Sequence, residues 1–310
     1  MWRSGPFAAV WCDAMASIDI CICTFRRPFL AQTLQSVALL SAGKHRIRVI
    51  IADNDQQCSA RALVEDWRGQ LPFELIYVHA PAANICIARN ACLDHAAADF
   101  VAFVDDDEIV APRWIEALMQ AAETSGAAAV LGPVRALYGP DAPQWMVQGD
   151  FHSTLPVFVH GAIRTGYTCN VLIRWSAPYS ALRFDLALGQ SGGEDTAFFY
   201  QLTALGGTIA YAPDALVEEP VPADRASMGW LVRRRLRFGQ THGMLQTGPR
   251  ARALAIVGAK LAYCGMMTGL TTFSPVLRRR NWLRAVLHLG VAGGLLGMRQ
   301  QAHYGQLTPR

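Results

Sequence analysis

Five apolar residues, Phe100 to Val104, run without a break into four carboxylates, Asp105, Asp106, Asp107 and Glu108. An apolar run with no polar alternation fits a strand covered on both faces, as in a parallel sheet flanked by helices. Four adjacent acids at the end of such a strand repel one another, and their ionisation is costly unless a cation offsets it. A hard divalent ion such as Mg²⁺ or Mn²⁺ meets that need, taking one or two carboxylates and completing its shell with phosphate oxygens and water. Taken alone, the same residues also suit a solvated acidic turn that caps a helix starting near Pro112.

The chain before this element repeats the same alternation. Ile18–Cys23, Ile47–Ala52 and Phe73–Val78 are short apolar, β-rich runs. Between them, Leu30, Leu34, Val37 and Leu40, then Leu63, Val64 and Trp67, then Ile87, Ala88, Ala91 and Cys92 recur at helical spacing. This pattern predicts an α/β fold, a Rossmann-like, mainly parallel sheet flanked by helices, with its ligands beyond the carboxyl ends of the strands. From about 127 to 190 the rhythm becomes irregular and Pro-rich, which predicts a substrate-facing insertion containing one strand-like stretch at 171–175.

Charge divides the chain. Residues 1–224 hold 14 Lys/Arg against 24 Asp/Glu, a net of −10; residues 225–310 hold 14 Lys/Arg and no acid, a net of +14. Such a split predicts two parts facing different partners. Hydrophobic residues are 52% and charged ones 17% of the chain, which excludes an intrinsically disordered protein. The eight cysteines sit in apolar stretches without C-x-x-C or Cys/His ligand spacing and read as core residues in a reducing compartment.

Two further groupings carry chemistry. Gly192-Gly193-Glu194-Asp195 opens a helical stretch, and glycines before a carboxylate pair let a ligand approach closely, although a helix N-cap explains the pair equally well in isolation. Arg233, Arg234, Arg235 and Arg237 lie on a helix after Gly229, suited either to phosphate or to a solvated or membrane-facing surface.

In order along the chain, Thr24-Phe25-Arg26 after the first strand, Asp53, Asn84 with Ala88-Arg89-Asn90, FVDDDE, GGED and the Arg-rich helix resemble a family 2 glycosyltransferase of the GT-A fold. Within it, the similarity is to the bacterial enzymes that extend lipid-linked exopolysaccharide repeat units of the succinoglycan type. The likeness covers about residues 17–240. It implies that Thr24, Arg26, Asp53, Arg89, Asp105, Asp106, Arg234 and Arg237 bind a nucleotide sugar, and that Asp105, Asp107 and Glu219 hold Mg²⁺ or Mn²⁺. It implies Asp195 as catalytic base, with Trp145, Asn170 and Glu194 toward the acceptor. Two positions depart from the family pattern: Phe25-Arg26 replaces the more usual Tyr-Asn, and VEEP around Glu219 lacks the family's His ligand. Thr168 belongs with Asn170 as a candidate for sugar hydroxyls, or as turn chemistry.

The implied reaction is a single displacement with inversion, moving a sugar from a nucleoside-diphosphate sugar, UDP expected, to a hydroxyl of a glycan or polyprenyl-diphosphate-linked acceptor. A Mg²⁺-dependent nucleotidyltransferase or phosphotransferase would use similar carboxylates, but no G-x-x-x-x-G-K-[ST] loop is present. A non-catalytic, membrane-associated nucleotide-sugar-binding protein is the other alternative. Nucleic acid is not an expected partner, because the acidic domain repels phosphate backbones.

The expected organisation is an uninformative extension at 1–16 (with Met15 an alternative start), a catalytic domain at 17–240 and a helical region at 241–310. Ala253–Phe273 has the length of a membrane span, but Lys260 sits near its middle and both flanks are basic. Two amphipathic or re-entrant helices on the inner-leaflet surface are therefore expected, placing the protein peripherally on the cytoplasmic face of the inner membrane or in the cytoplasm. A helical hairpin packed on the catalytic domain is the alternative.

Overall fold

β1 (Ser17–Thr24) shows why the sheet forms. Ile18, Ile20 and Ile22 point into one apolar cluster and Cys21 into another, so both faces of the strand are covered. β2 (Arg46–Asp53) divides likewise, with Ile47, Val49 and Ile51 on one side and Ile50 and Ala52 on the other. The computed structural model describes residues 15–298, so the expected extension at 1–16 lies outside the described residues except for Met15 and Ala16.

The remaining strands are β3 (Glu74–His79), β4 (Phe100–Val104), β5 (Ile109–Val110), β6 (Ala129–Leu131), β7 (Val134–Tyr138), β8 (Phe158–Val159), β9 (Ala162–Ile163), β10 (Asn170–Arg174), β11 (Ile209–Tyr211) and β12 (Val217–Val221). The helices are α1 (Leu30–Ala38), α2 (Arg61–Trp67), α3 (Ile85–His95), α4 (Trp114–Ser125), α5 (Gln144–Gly149), α6 (Glu194–Ala204), α7 (Met228–Leu245), α8 (Arg250–Leu270) and α9 (Pro275–Leu295). The main sheet has the order β11-β6-β10-β4-β1-β2-β3. α1, α2 and α4 bury their apolar stripes on one face, and α3 and α6 on the other.

The sheet is mainly parallel, as its unbroken apolar strands predict, with β10 running against both neighbours. The stretch 127–190, expected as a substrate-facing insertion with one strand, contributes two strands, β6 and β10, to the sheet. Its direction matters for the site. β10 opens with Asn170 opposite Val104, so the residues just before β10 arrive at the carboxyl end of β4. A second sheet, β5-β12-β7, sets Glu218 of β12 opposite Ile109 and so brings Glu219 toward the carboxylate turn.

Asp19 in β1 is fully buried, yet it accepts two bonds from Arg48 and two from the Ala97 and Ala98 amides, so its charge is offset at every turn. Seven cysteines are free thiols, as their apolar settings predict; Cys12 lies outside the described residues.

At the C-terminal end, α9 packs against α7. Gly239 and Gly243 of α7 meet Gly290 and Gly294 of α9 so closely that a Cβ on Gly290 would lie 2.2 Å from the Leu236 carbonyl oxygen. The expected boundary at 240/241 falls inside α7. α8 buries only Ala253, Val257 and Cys264, one side of the helix, and leaves the rest largely exposed.

Gly290→Val is expected to force α7 and α9 apart, costing about 1–3 kcal/mol or more as an overpacked contact. Chemical denaturation reads this as a lower midpoint; an unchanged midpoint would mean the two helices do not pack backbone to backbone.

Candidate functional site

The carboxyl ends of β1, β2 and β4 lie side by side, with Thr24 opposite Asp53 in the register. The loop after β1 delivers arginines to this edge. Arg26, at φ 55°, pairs with Asp55 at 2.8 Å, while its neighbour Arg27 reaches the acidic turn, 2.8 Å from Asp107 and 3.6 Å from Asp106. Arg27 is a residue the sequence reading missed; its place directly after β1, beside Arg26, was the available signal.

The acidic turn is strongly perturbed. Burial pushes the Asp105 carboxyl up to about 6; Arg89 pulls it back, while Asp107 and Glu219 add to the rise. Burial pushes Asp106 up to about 7, with Arg27 and Thr24 opposing. Glu108 is driven well above the carboxylate range by burial and by Asp105, whose amide donates to it at 2.8 Å. Even with Arg27 in place, the turn lacks positive charge.

That shortage is the test of fit for a divalent ion, and the residues pass it: the donors are hard oxygens, and the cluster still wants a cation. Among the described residues, no group of three His, Cys, Asp or Glu side chains gathers as a ready-made ion cage. The expected third ligand, Glu219, instead pairs with Arg225 at 3.2 Å. An ion here would rest on Asp105 and Asp107, competing with Arg27 for Asp107, with phosphate oxygens completing its shell.

Facing the turn is a second charged group. α6 starts after Gly193, whose φ of 97° is open to glycine and strained for other residues; a Cβ there would also strike the Thr241 side chain of α7 at 2.4 Å. The first turn of α6 presents Glu194 and Asp195. Arg89, from α3, donates to Glu194 at 2.6 Å and to Asp195 at 2.7 Å. Thr168 donates its hydroxyl to Asp195 at 3.0 Å and its amide at 3.2 Å. Burial raises the Asp195 carboxyl to about 7, with Arg89 opposing and Glu194 reinforcing the rise. Asp195 is 25% exposed against 11% for Glu194, which makes it the carboxylate of the pair that a ligand can reach.

Five expected site residues are engaged within the protein. Arg89 donates through Nη1 to both acids of the carboxylate pair. Glu194, its partner, is buried. Asp53 is fully buried and accepts from the Asp55 and Ala60 amides and the Tyr77 hydroxyl, so it ties together the loop after β2. Asn170 is fully buried, accepting from Trp114 Nε1 at 2.8 Å and donating to the Pro133 and Ala215 carbonyls, which ties β10 to its surroundings. Trp145 packs edge-on against Phe151, and the Arg279 guanidinium lies over its ring at 4.6 Å.

The Arg-rich helix α7 flanks the site. Arg234 lies between the Trp230 and Phe238 rings; burial lowers its pKa and Glu219 works against that. Arg237 is within electrostatic range of Glu194. The edge thus joins carboxylates that can hold a cation, a carboxylate of raised pKa that can accept a proton, and guanidiniums that can meet a diphosphate.

Comparison with known proteins agrees with this chemistry. The family described as "Glycosyl transferase family 2" matches residues 19–181. Succinoglycan biosynthesis protein ExoM of Rhizobium meliloti (strain 1021) is 54% identical over 295 residues, covering 93% of this chain and 96% of that protein. Among solved structures, the mannosyltransferase PcManGT from Pyrobaculum calidifontis in complex with GDP-Man and Mn²⁺ has a TM-score of 0.63 at 15% identity, covering 91% of this chain and 88% of that one. S. aureus TarS 1–349 in complex with UDP has a TM-score of 0.53 at 15% identity, covering 90% and 91%. These two likenesses are of fold.

Asn170→Ala is expected to unfold more readily by at least about 2 kcal/mol, since it strands a buried Trp114 N–H and two carbonyls. If stability in urea is unchanged and only the acceptor KM rises, Asn170 faces the acceptor after all.

Proposed function

Because the chain belongs to glycosyl transferase family 2, we propose that it transfers a sugar from a nucleoside-diphosphate sugar, with uridine the expected base, to a hydroxyl of a growing exopolysaccharide glycan of the succinoglycan type, with inversion. The observation that carries this reading is Asp195: a partly exposed carboxylate of raised pKa, held by Arg89 and Thr168 across from the acidic turn. Support for the substrate class comes from the 54% identical succinoglycan biosynthesis protein, and for a nucleotide donor from the fold shared with UDP- and GDP-Man-bound enzymes.

In this mechanism the donor's diphosphate lies between the acidic turn and α7. A divalent ion bound at Asp105 and Asp107 would supply charge to the departing diphosphate. Arg234 and Arg237 add preorganised positive charge on the other side, with no need to reorient as the bond breaks. Thr24 and Arg26 line the loop that receives the base, and Asp106 supports the turn from beneath. Asp195 takes the proton from the acceptor hydroxyl as its oxygen attacks the anomeric carbon.

A base must be ionised to work. With its carboxyl raised to about 7, Asp195 is ionised above that pH and protonated below it, so transfer is expected to fall tenfold for each pH unit well below 7. Asp195→Asn is expected to bind donor normally while losing about 10²–10⁴ in kcat. Thermal shift with nucleotide sugars plus Mn²⁺ or Mg²⁺ and release of nucleoside diphosphate measure the two effects. Full turnover in the Asn variant would sink this assignment, and donor binding with no turnover by the natural chain on any acceptor would favour a non-catalytic binding protein.

The acceptor is proposed to be carried on a polyprenyl diphosphate at the inner face of the membrane. α8 is 21 residues long and largely unburied, Leu270 and Phe273 are 61% and 80% exposed, and Arg278 and Arg280 stand exposed beside them. Apolar burial and anionic lipid together suit a helix lying on the surface. The full chain is expected to sediment with vesicles rich in phosphatidylglycerol at low salt and to be released as salt screens the attraction. Failure to sediment at low salt would overturn the membrane placement.

A further inference from the structure

On the reading of Asp195 as base, we propose that Arg89 and Thr168 are positioning residues that fix which oxygen of Asp195 receives the acceptor's proton. The bonds divide unevenly between the two carboxylate oxygens. Oδ1 accepts from Arg89 Nη1 at 2.7 Å and from the Thr168 hydroxyl at 3.0 Å. Oδ2 accepts one longer bond, 3.2 Å, from the Thr168 amide. Oδ1 is therefore occupied and Oδ2 keeps lone-pair capacity for a proton.

The proton and electron count closes on this geometry. The acceptor O–H bond breaks and its proton passes to Oδ2. The oxygen's electron pair forms the new bond to the anomeric carbon, and the old bond from that carbon to the diphosphate oxygen leaves with its pair on the diphosphate.

The side chains doing the holding are out of a ligand's reach. Arg89 is 8% exposed, shared between Asp195 and Glu194, and its guanidinium lies 5.4 Å from the centre of the Phe184 ring. Thr168 is fully buried. They come from α3 and from the residues just before β10, two elements that meet at this point only because β10 runs antiparallel to β4. Charge and hydrogen bonds from both partners favour the ionised form of Asp195, so weakening either makes the base harder to ionise.

The test compares pH profiles of kcat and KM for the full-length protein with those of Thr168→Val, Thr168→Ser and Arg89→Lys, alongside calorimetric titration with UDP and with GDP in the presence of Mg²⁺. Thr168→Val keeps the shape and removes only the hydroxyl. It is expected to move the acidic limb of kcat to higher pH by about one unit, a tenfold loss at a fixed pH below the limb. Thr168→Ser restores the limb, and neither change alters nucleotide affinity by more than about twofold, far below the tenfold that 1.4 kcal/mol represents. Arg89→Lys moves the limb the same way with nucleotide affinity retained. A folded Thr168→Val with an unmoved limb overturns the proposal, as does an Arg89→Lys variant whose limb stays put while nucleotide affinity falls tenfold. Should Arg89→Lys fail to fold, the Thr168 pair decides alone. Failure of the base assignment itself is separate: it shows as undiminished turnover in Asp195→Asn, whatever the Thr168 variants do.

Discussion

Arg89 is a buried guanidinium held between two carboxylates, and the site is organised around that charge balance. Burial works against its charge, but Asp195 and Glu194 outweigh that and keep it protonated. A buried ion group of this kind adds little net stability, yet removing one member is severe, about 3–5 kcal/mol, because the others stay desolvated without a partner. Its value is in geometry. It ties α3 to the first turn of α6, and through Thr168 to the start of β10, so Asp195 is placed by three elements remote from one another in sequence.

The acidic turn works under the opposite condition. Its carboxylates exceed the positive charge beside them, and burial and mutual repulsion raise Asp105, Asp106 and Glu108. Arg27 and Arg225 offset part of this from the side, on Asp107 and Glu219. Glu194 and Asp195 thus share one buried guanidinium, whereas the acidic turn meets, among the described residues, only the half-exposed Arg27. Such a difference between neighbouring groups separates a proton acceptor from a ligand site within one sheet edge.

The sequence was readable where local pattern decides. Strands buried on both faces and helices with apolar stripes stood out because each is set by residues close together in the chain, and β4 begins and ends where its apolar run does. The acidic turn and the Glu194-Asp195 pair stood out for the same reason. Partners set by tertiary structure were not readable. Nothing near Asn170 reveals that Trp114, Pro133 and Ala215 will absorb its amide, and nothing near Arg89 reveals two acids 105 and 106 residues away. The direction of β10 was hidden too, since a short apolar strand has the same composition whether it runs with its neighbours or against them. The irregular, Pro-rich surroundings of β10 suggested an insertion, while its buried residues Val171, Leu172 and Ile173 belong to the centre of the sheet.

The division of charge along the chain also takes a spatial meaning. The acid-free C-terminal region begins, in space, at the site: Arg225 meets Glu219, Arg234 lies within its field, and Arg237 lies within that of Glu194. α7 is therefore the hinge of the charge pattern, its start compensating acids of the catalytic edge and its later turns gripped by α9 through facing glycines. Close backbone packing of this kind tolerates little sliding, because any shift drives Cα atoms into carbonyl oxygens. The acid-free helices α7 and α9 are thus packed together as one unit beside the acidic edge.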